Sequence, residues 1–276
     1  MEREPVKIYD TSLRDGLRNS GISMTLAQKL RFARQLEELR VDAVEVGYGG
    51  PSQLDTMKQL ATALTKPIVY GLTRVNLKDV DRVLEGIGHA QQPGVNIFSP
   101  TSNDFLKKAK KSWQQAIDAV AAAVAHAKRQ VDHVTFSAQD ASRADPVLLI
   151  RICNAAIAAG ATTISIADSV SYAVPSQFGL LCQFLRAQVT NANAVTWSVH
   201  CHNEIGLAVA NSLAAIENGF RQVECTVDGI GEGQGNTPLQ LLVLALRSRH
   251  DVFKTVSTAI AIEHFSEASQ LLKEAA

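Results

Sequence analysis

The feature that most restricts the fold of this chain is a strand-and-helix unit that repeats eight times along it. Short, β-branched runs start at Val6 (VKIYD), Ala43 (AVEVGY), Pro67 (PIVYGL), Gly94 (GVNIF), His133 (HVTFS), Thr162 (TTISIA), Thr196 (TWSVHCH) and Gln222 (QVECTV). Between them lie stretches of helical period, such as LAQKLRFARQLEEL after Thr25, SWQQAIDAVAAAVAHAKRQ from Ser112 and LLIRICNAAIAAG ending on Gly160. Strands that alternate with helices build parallel βα units, and runs this apolar suit a sheet covered on both faces. Local punctuation agrees, since Asp145-Pro146 supplies a cap and a proline for the first helical position and Gly160 a C-terminal stop. A doubly wound open sheet uses the same units, but the GxGxxG fingerprint expected after its first strand is absent. The expected fold is therefore α/β, a (β/α)8 TIM barrel, as a single catalytic domain over residues 1–276. From about Val256 onward the chain reads as one extra C-terminal helix outside the ring.

With 46% of its 276 residues apolar, the chain can fill the core of such a barrel. Lysine plus arginine and aspartate plus glutamate each total 27, so no broad field attracts nucleic acid or an anionic membrane. No apolar run approaches the roughly 20 residues that span a bilayer, and MEREPVKIYD has no signal-peptide character. A cytoplasmic protein is expected. The four cysteines are widely spaced and form no CxxC pair, which points to core packing rather than a disulfide framework or structural zinc.

In a barrel of this kind, chemistry belongs to the strand ends and the loops that follow them. At the end of the seventh run stands VHCHNEIG, where residues two apart face one side, so His200 and His202 can reach one ion while Cys201 points away. A pair of hydrogen-bonded barrel histidines is the alternative. DTSLRDG ends the first run and brings Asp10, Arg14, Asp15 and Gly16 to the same mouth. A carboxylate there completes a three-ligand set, and a guanidinium beside it neutralises a carboxylate or enolate oxygen. After the eighth run, VDGIGEGQGN combines four glycines with the polar atoms of Glu232 and Asn236. Such a loop takes unusual backbone angles or lies close to a ligand, or is simply a flexible connection. FSAQDASR and IADSVSY place Ser137, Gln139, Asp140, Arg143, Asp168, Ser169 and Tyr172 after the fifth and sixth runs. Each of those segments also fits a helix-capping turn.

Taken together, these segments resemble the family of isopropylmalate and homocitrate synthases, hydroxymethylglutaryl-CoA lyase and 4-hydroxy-2-oxovalerate aldolases. DTSLRDG is similar to the family's opening DTTLRDG, and HCHNEIGLAVANSLAAIENGFRQVECTVDGIGEGQGN to its metal-binding signature. The resemblance implies Asp15, His200 and His202 as ligands of a divalent ion (zinc, manganese or magnesium), with Asn236 a fourth ligand or near neighbour. It implies that Arg14 binds and polarises the oxo acid. Glu232 falls where the synthase branch carries the glutamate of its GxGERxGN loop, and is the candidate for proton handling. Ser137, Gln139 and Ser169 are expected to line the substrate. No cysteine follows Cys225, so the lyase branch's mobile cysteine has no counterpart, and no histidine follows RDG as in the aldolases.

Departures from the family pattern bear on substrate choice. RDGEQ has become RDGLR, with Leu17 and Arg18; FSxED has become FSAQD, with an amide at Gln139; Asn96 stands where a histidine is expected; and TVGY has become SVSY. An amide hydrogen-bonds but cannot act as a base. The expected activity is a Claisen-type condensation of an acyl-CoA, such as acetyl-CoA, with a 2-oxo acid. Cleavage of a hydroxy acid by a lyase or aldolase, and a catalytically weak binding paralogue, are the alternatives. Small-molecule substrates, a homodimer and no C-terminal regulatory domain complete the expectation.

Overall fold

Alternation along each strand sorts the barrel's side chains into an outer and an inner set. Val44, Val46, Val134, Phe136, Ile164, Ile166, Val223 and Cys225 are buried in one continuous core with helix residues such as Phe32, Leu36, Met57 and Leu60. Their neighbours Glu45, Thr135, Ser137, Ser165 and Glu224 fall on the other face, toward the lumen.

The computed structural model describes residues 3–276. Its strands are Lys7–Asp10 (β1), Ala43–Tyr48 (β2), Ile68–Arg74 (β3), Pro93–Pro100 (β4), His133–Gln139 (β5), Thr163–Asp168 (β6), Thr196–Cys201 (β7) and Gln222–Cys225 (β8). Each pairs in parallel with the next, and β8 returns to β1 from Lys7↔Gln222 to Asp10↔Cys225, closing an eight-stranded barrel. The expected TIM barrel is what forms. Its strands match the β-branched runs to within a few residues.

Helices occupy the intervening segments, and the capping chemistry anticipated at Asp145-Pro146 and Gly160 is present. Thr25 caps Leu26–Glu38 in a capping box with Gln28. Asp145 accepts from the amides of Val147 and Leu148 ahead of Pro146–Ala158. Gly160, at φ 106°, then ends that turn in a conformation other residues avoid. At the closed end of the lumen Tyr9 and Tyr70 stack with ring centroids 4.8 Å apart. Gly94 leaves room for this plug, because a Cβ there would lie 2.5 Å from the Tyr70 ring.

The C-terminal region departs from expectation at one point. Val256–Ser257 is not helical but pairs in parallel with Glu4–Pro5, with Glu4 N donating to Thr255 O at 2.8 Å and Val6 N to Ser257 O at 2.7 Å. The segment before β1 exposes backbone groups, and the β-branched residues around Val256 favour the extended form that satisfies them. The extra helix begins later, at Phe265–Lys273, and lies against the first helix, where Gln35 Nε2 donates to His264 O at 3.3 Å. Among the described residues, no helix is long and apolar enough to cross a membrane.

Candidate active site

The turn after β1 decides where its charged residues point. Asp10, fully buried, accepts from the Ser12 amide at 2.9 Å and the Ser12 hydroxyl at 3.0 Å. Ser12 Oγ in turn accepts from Val227 N at 2.9 Å, tying the end of β1 to the end of β8. Ser12–Gly16 then forms one π-helical turn, a form enriched at functional sites, in which the amides of Asp15 and Gly16 both donate to Thr11 O. The turn delivers Arg14 and Asp15 to the mouth. Asp10 itself stays below it, and burial, opposed by the Ser12 bonds and reinforced by Glu45, raises its carboxyl to about 7.

Asp15, His200 and His202 converge. Asp15 Oδ2 lies 3.7 Å from Nε2 of each histidine. Donors about 2.1 Å from a common ion stand roughly 3 to 3.5 Å apart, and these three side chains each offer a ligand atom within 4.8 Å of the others, so side-chain movement can close the set on a cation. Each ring's other nitrogen faces a carboxylate: His200 Nδ1 lies 3.3 Å from Glu224 Oε2, and His202 Nδ1 3.6 Å from Glu204 Oε1. Neither contact is a well-aligned hydrogen bond, and His200 Nδ1 is buried with no other partner. Asn236 pairs its backbone with His202 and gives Nδ2 to Ile230 O at 3.1 Å, while its buried Oδ1 has no partner. Two imidazoles and a carboxylate suit a divalent cation, and the residue bridged to His202 adds a buried oxygen with free lone pairs.

The charges around this cluster point the same way. Arg14 donates from Nε to Glu45 and from Nη1 to Asp15, and its Nη2 also contacts Glu45. Glu45 also accepts from Tyr9 Oη at 2.9 Å and Asn96 Nδ2 at 3.1 Å, and Asn96 Oδ1 from Ser137 Oγ at 2.8 Å. Glu224 accepts from Ser165 Oγ and, at 3.4 Å, from Ser198 Oγ. Burial would raise the Asp15 carboxyl, but Arg14, His202 and His200 overcome it and hold it well below the usual carboxylate range. Burial raises Glu45 despite Arg14, and Glu224 and Asp15 add to the rise. Two buried carboxylates, Asp15 and Glu45, thus face the Arg14 guanidinium and a third, Glu224, faces His200, a formal excess of negative charge that a dication would neutralise.

A cavity of about 250 Å³ opens above the cluster and brings together Arg14, Ser137, Gln139, Ser169 and Glu232. Glu232 lies at its rim, half exposed, 3.7 Å from Arg18. The glycine loop that carries it runs with positive φ at Gly229, Gly231, Gly233 and Gly235, the unusual backbone angles anticipated from its composition. Other strand-end candidates are structural. Asp140 pairs with Arg143 and accepts from Ser102 Oγ, Asp168 accepts from Ser142 Oγ and the amides of Tyr172 and Ala173, and Tyr172 is exposed. All four cysteines are buried, and burial pushes the Cys153 thiol up to about 12.

Glu45, Glu204 and Glu224 were not singled out from the sequence. The signal for Glu45 and Glu224 was there, since a carboxylate inside an apolar strand must be paired, and strand alternation turns both inward.

Among known proteins, the chain is 45% identical over 272 residues to a 2-isopropylmalate synthase of Syntrophus aciditrophicus, covering 98% of this chain and 52% of that protein. It is 42% identical to the 2-isopropylmalate synthase of Lysinibacillus sphaericus, over 98% of this chain and 53% of that protein. The chain thus spans about half the length of these relatives. By fold it is similar to the HMG-CoA lyase of Bacillus subtilis, with a TM-score of 0.82 and 19% identity over 99% of this chain and 95% of that one. Residues 5–272 match the HMGL-like family, and the chain belongs to that family of TIM barrels.

Proposed function

We propose that this chain is a divalent-metal-dependent enzyme that condenses an acyl-CoA, such as acetyl-CoA, with a 2-oxo acid, as the synthases it resembles do. The observation that carries the reading is the convergence of Asp15, His200 and His202 beside Arg14 in one cavity. Identity above 40% to synthases, against 19% to a lyase of the same fold, favours condensation over cleavage.

In this reading Asp15, His200 and His202 hold the ion, with Asn236 Oδ1 as a fourth donor. A bound divalent ion supplies Lewis acidity, making the oxo carbon a better electrophile. Glu224 and Glu204 face the Nδ1 atoms of the two histidines at 3.3 and 3.6 Å, and accepting their protons as the ion binds would fix the tautomer that presents both Nε2 atoms forward. Arg14 has five N–H groups; its carboxylate contacts engage three nitrogens once each, which leaves two N–H for the substrate's carboxylate and developing alkoxide. Ser137, Gln139 and Ser169 form the polar wall opposite. Glu232, through water, takes a proton from the carbon next to the thioester. That carbon then bonds to the oxo carbon, the former oxo oxygen gains a proton, and water cleaves the thioester to release CoA and a hydroxy acid.

The test is release of CoA from acetyl-CoA, followed with a thiol reagent, against a panel of 2-oxo acids with manganese, zinc or magnesium. CoA release that requires both an oxo acid and the metal supports condensation. Cleavage of hydroxy acids without CoA release, or no turnover in either direction, contradicts it.

A further inference from the structure

The cavity above the histidines does not end at its rim. A second chamber of about 790 Å³ adjoins it and shares Arg14, Arg18, Leu72, Phe98 and Gln139 as common walls. Four cationic side chains, Arg14, Arg18, Lys29 and Arg74, line this outer chamber, and among the described residues no carboxylate does.

The guanidiniums differ in how far they are already engaged. Arg14 is held by Asp15 and Glu45. Arg74 donates to Asp79 at 3.3 Å and lies 5.7 Å from the centre of the Tyr48 ring. Among the described residues Arg18 has only Glu232, at 3.7 Å, and the two side chains are 62% and 51% exposed, so solvent screens the contact. Gln139, the last residue of β5, reaches the same junction, and among the described residues no hydrogen bond engages its side-chain amide. The wall between the chambers therefore carries a weakly engaged guanidinium and a free, neutral amide between the apolar faces of Leu72 and Phe98. A substrate with a hydrocarbon tail would cover the amide without pairing it and would gain nothing from the guanidinium. A carboxylate would accept from both, and the guanidinium fork matches its geometry.

We infer that the 2-oxo acid taken by this site carries a second carboxylate at the end remote from its oxo group, and that Arg18, assisted by the Gln139 amide, selects for it. This rests on the condensation proposed above and names its substrate class. Arg18 is then a specificity-determining residue. Binding there also draws the guanidinium from Glu232, leaving that carboxylate for proton transfer.

The experiment is calorimetric binding to the manganese-loaded protein. The 2-oxo dicarboxylates oxaloacetate and 2-oxoglutarate are compared with the monocarboxylates pyruvate and 2-oxoisovalerate, and acetyl-CoA binding is measured in parallel. Wild type is expected to bind at least one dicarboxylate about tenfold or more tightly than either monocarboxylate, a difference of about 1.4 kcal/mol. Arg18→Gln should erase most of that ratio, and Gln139→Glu should lower it by placing a negative charge at the junction. Wild type that prefers 2-oxoisovalerate and releases CoA with it overturns the inference and leaves the condensation standing. Loss of acetyl-CoA affinity in Arg18→Gln, with the oxo-acid ratio intact, also overturns it and gives Arg18 to the acyl carrier. Failure of every 2-oxo acid to bind or to release CoA overturns both.

Discussion

Replacing Glu224 separates orientation of the metal site from its direct ligation. Glu224 touches no substrate in the proposed scheme; its Oε2 lies 3.3 Å from His200 Nδ1, and its Oε1 is anchored by Ser165 and Ser198. Glutamine keeps the size and can offer an oxygen to Nδ1–H, so the tautomer survives and only the charge is lost. Alanine removes both. Loss of such an outer partner typically lowers metal affinity by about 10- to 100-fold. Glu224→Gln should therefore weaken manganese or zinc binding about tenfold and Glu224→Ala nearer a hundredfold, about 1.4 and 2.7 kcal/mol. Stability of the ion-free protein should move differently, because Glu224 is a buried carboxylate whose charge repels that of the buried Glu45. The melting temperature of ion-free Glu224→Gln should match or exceed wild type, while its metal affinity falls. Calorimetric metal titration and thermal melting in chelator test the pair. Unchanged affinity in both variants would remove Glu224 from the site, and a large fall in the ion-free melting temperature of Glu224→Gln would make it a folding residue instead.

Three further outcomes are expected. Arg14→Lys should cut kcat/KM nearly as deeply as Arg14→Ala, by at least about a hundredfold if two charge-assisted hydrogen bonds are lost, because one ammonium cannot serve Asp15, Glu45 and a substrate together; near-wild-type kinetics of the lysine variant would contradict this. Gly235→Ala should lower the melting temperature and disturb metal binding, since φ is 82° there and a Cβ would stand 1.9 Å from Gly229 O; unfolding and metal titrations check it. Asp10, raised to about 7 from an unfolded value of about 3.9, keeps in the folded state a proton that the unfolded chain releases, so its contribution to stability is full below the unfolded value and is lost as pH rises toward 7. The stability difference between wild type and Asp10→Asn should accordingly fall across that window, and a flat difference would contradict the assignment.

Much of the architecture was legible because strand period and helix caps are local signals. AVEVGY and TTISIA became strands at or within one residue of their expected bounds, and Asp145-Pro146 caps the helix it announced. The ligand candidates were legible for a topological reason: once eight parallel strands close, every strand end shares one mouth, and DTSLRDG and VHCHN meet there. What sequence could not resolve was which strand-end carboxylates face the cavity. Asp140 and Asp168 fitted either a site or a capping turn, and backbone turns and local partners claim both. The π-turn after β1 has no pattern of its own, since it depends on Asp10 and Val227 gripping Ser12 from two ends of the chain. Val256 misled because a two-residue strand is specified by its partner near the N-terminus and not by any period within it.

The most direct test of the central claim is titration of the chelator-stripped protein with manganese or zinc, for wild type and for Asp15→Ala, His200→Ala and His202→Ala, with melting curves in parallel. The account predicts one ion per wild-type chain, its loss or severe weakening in each variant, and folded protein throughout. Wild type that binds no ion, or variants that bind it as tightly as wild type, would contradict it.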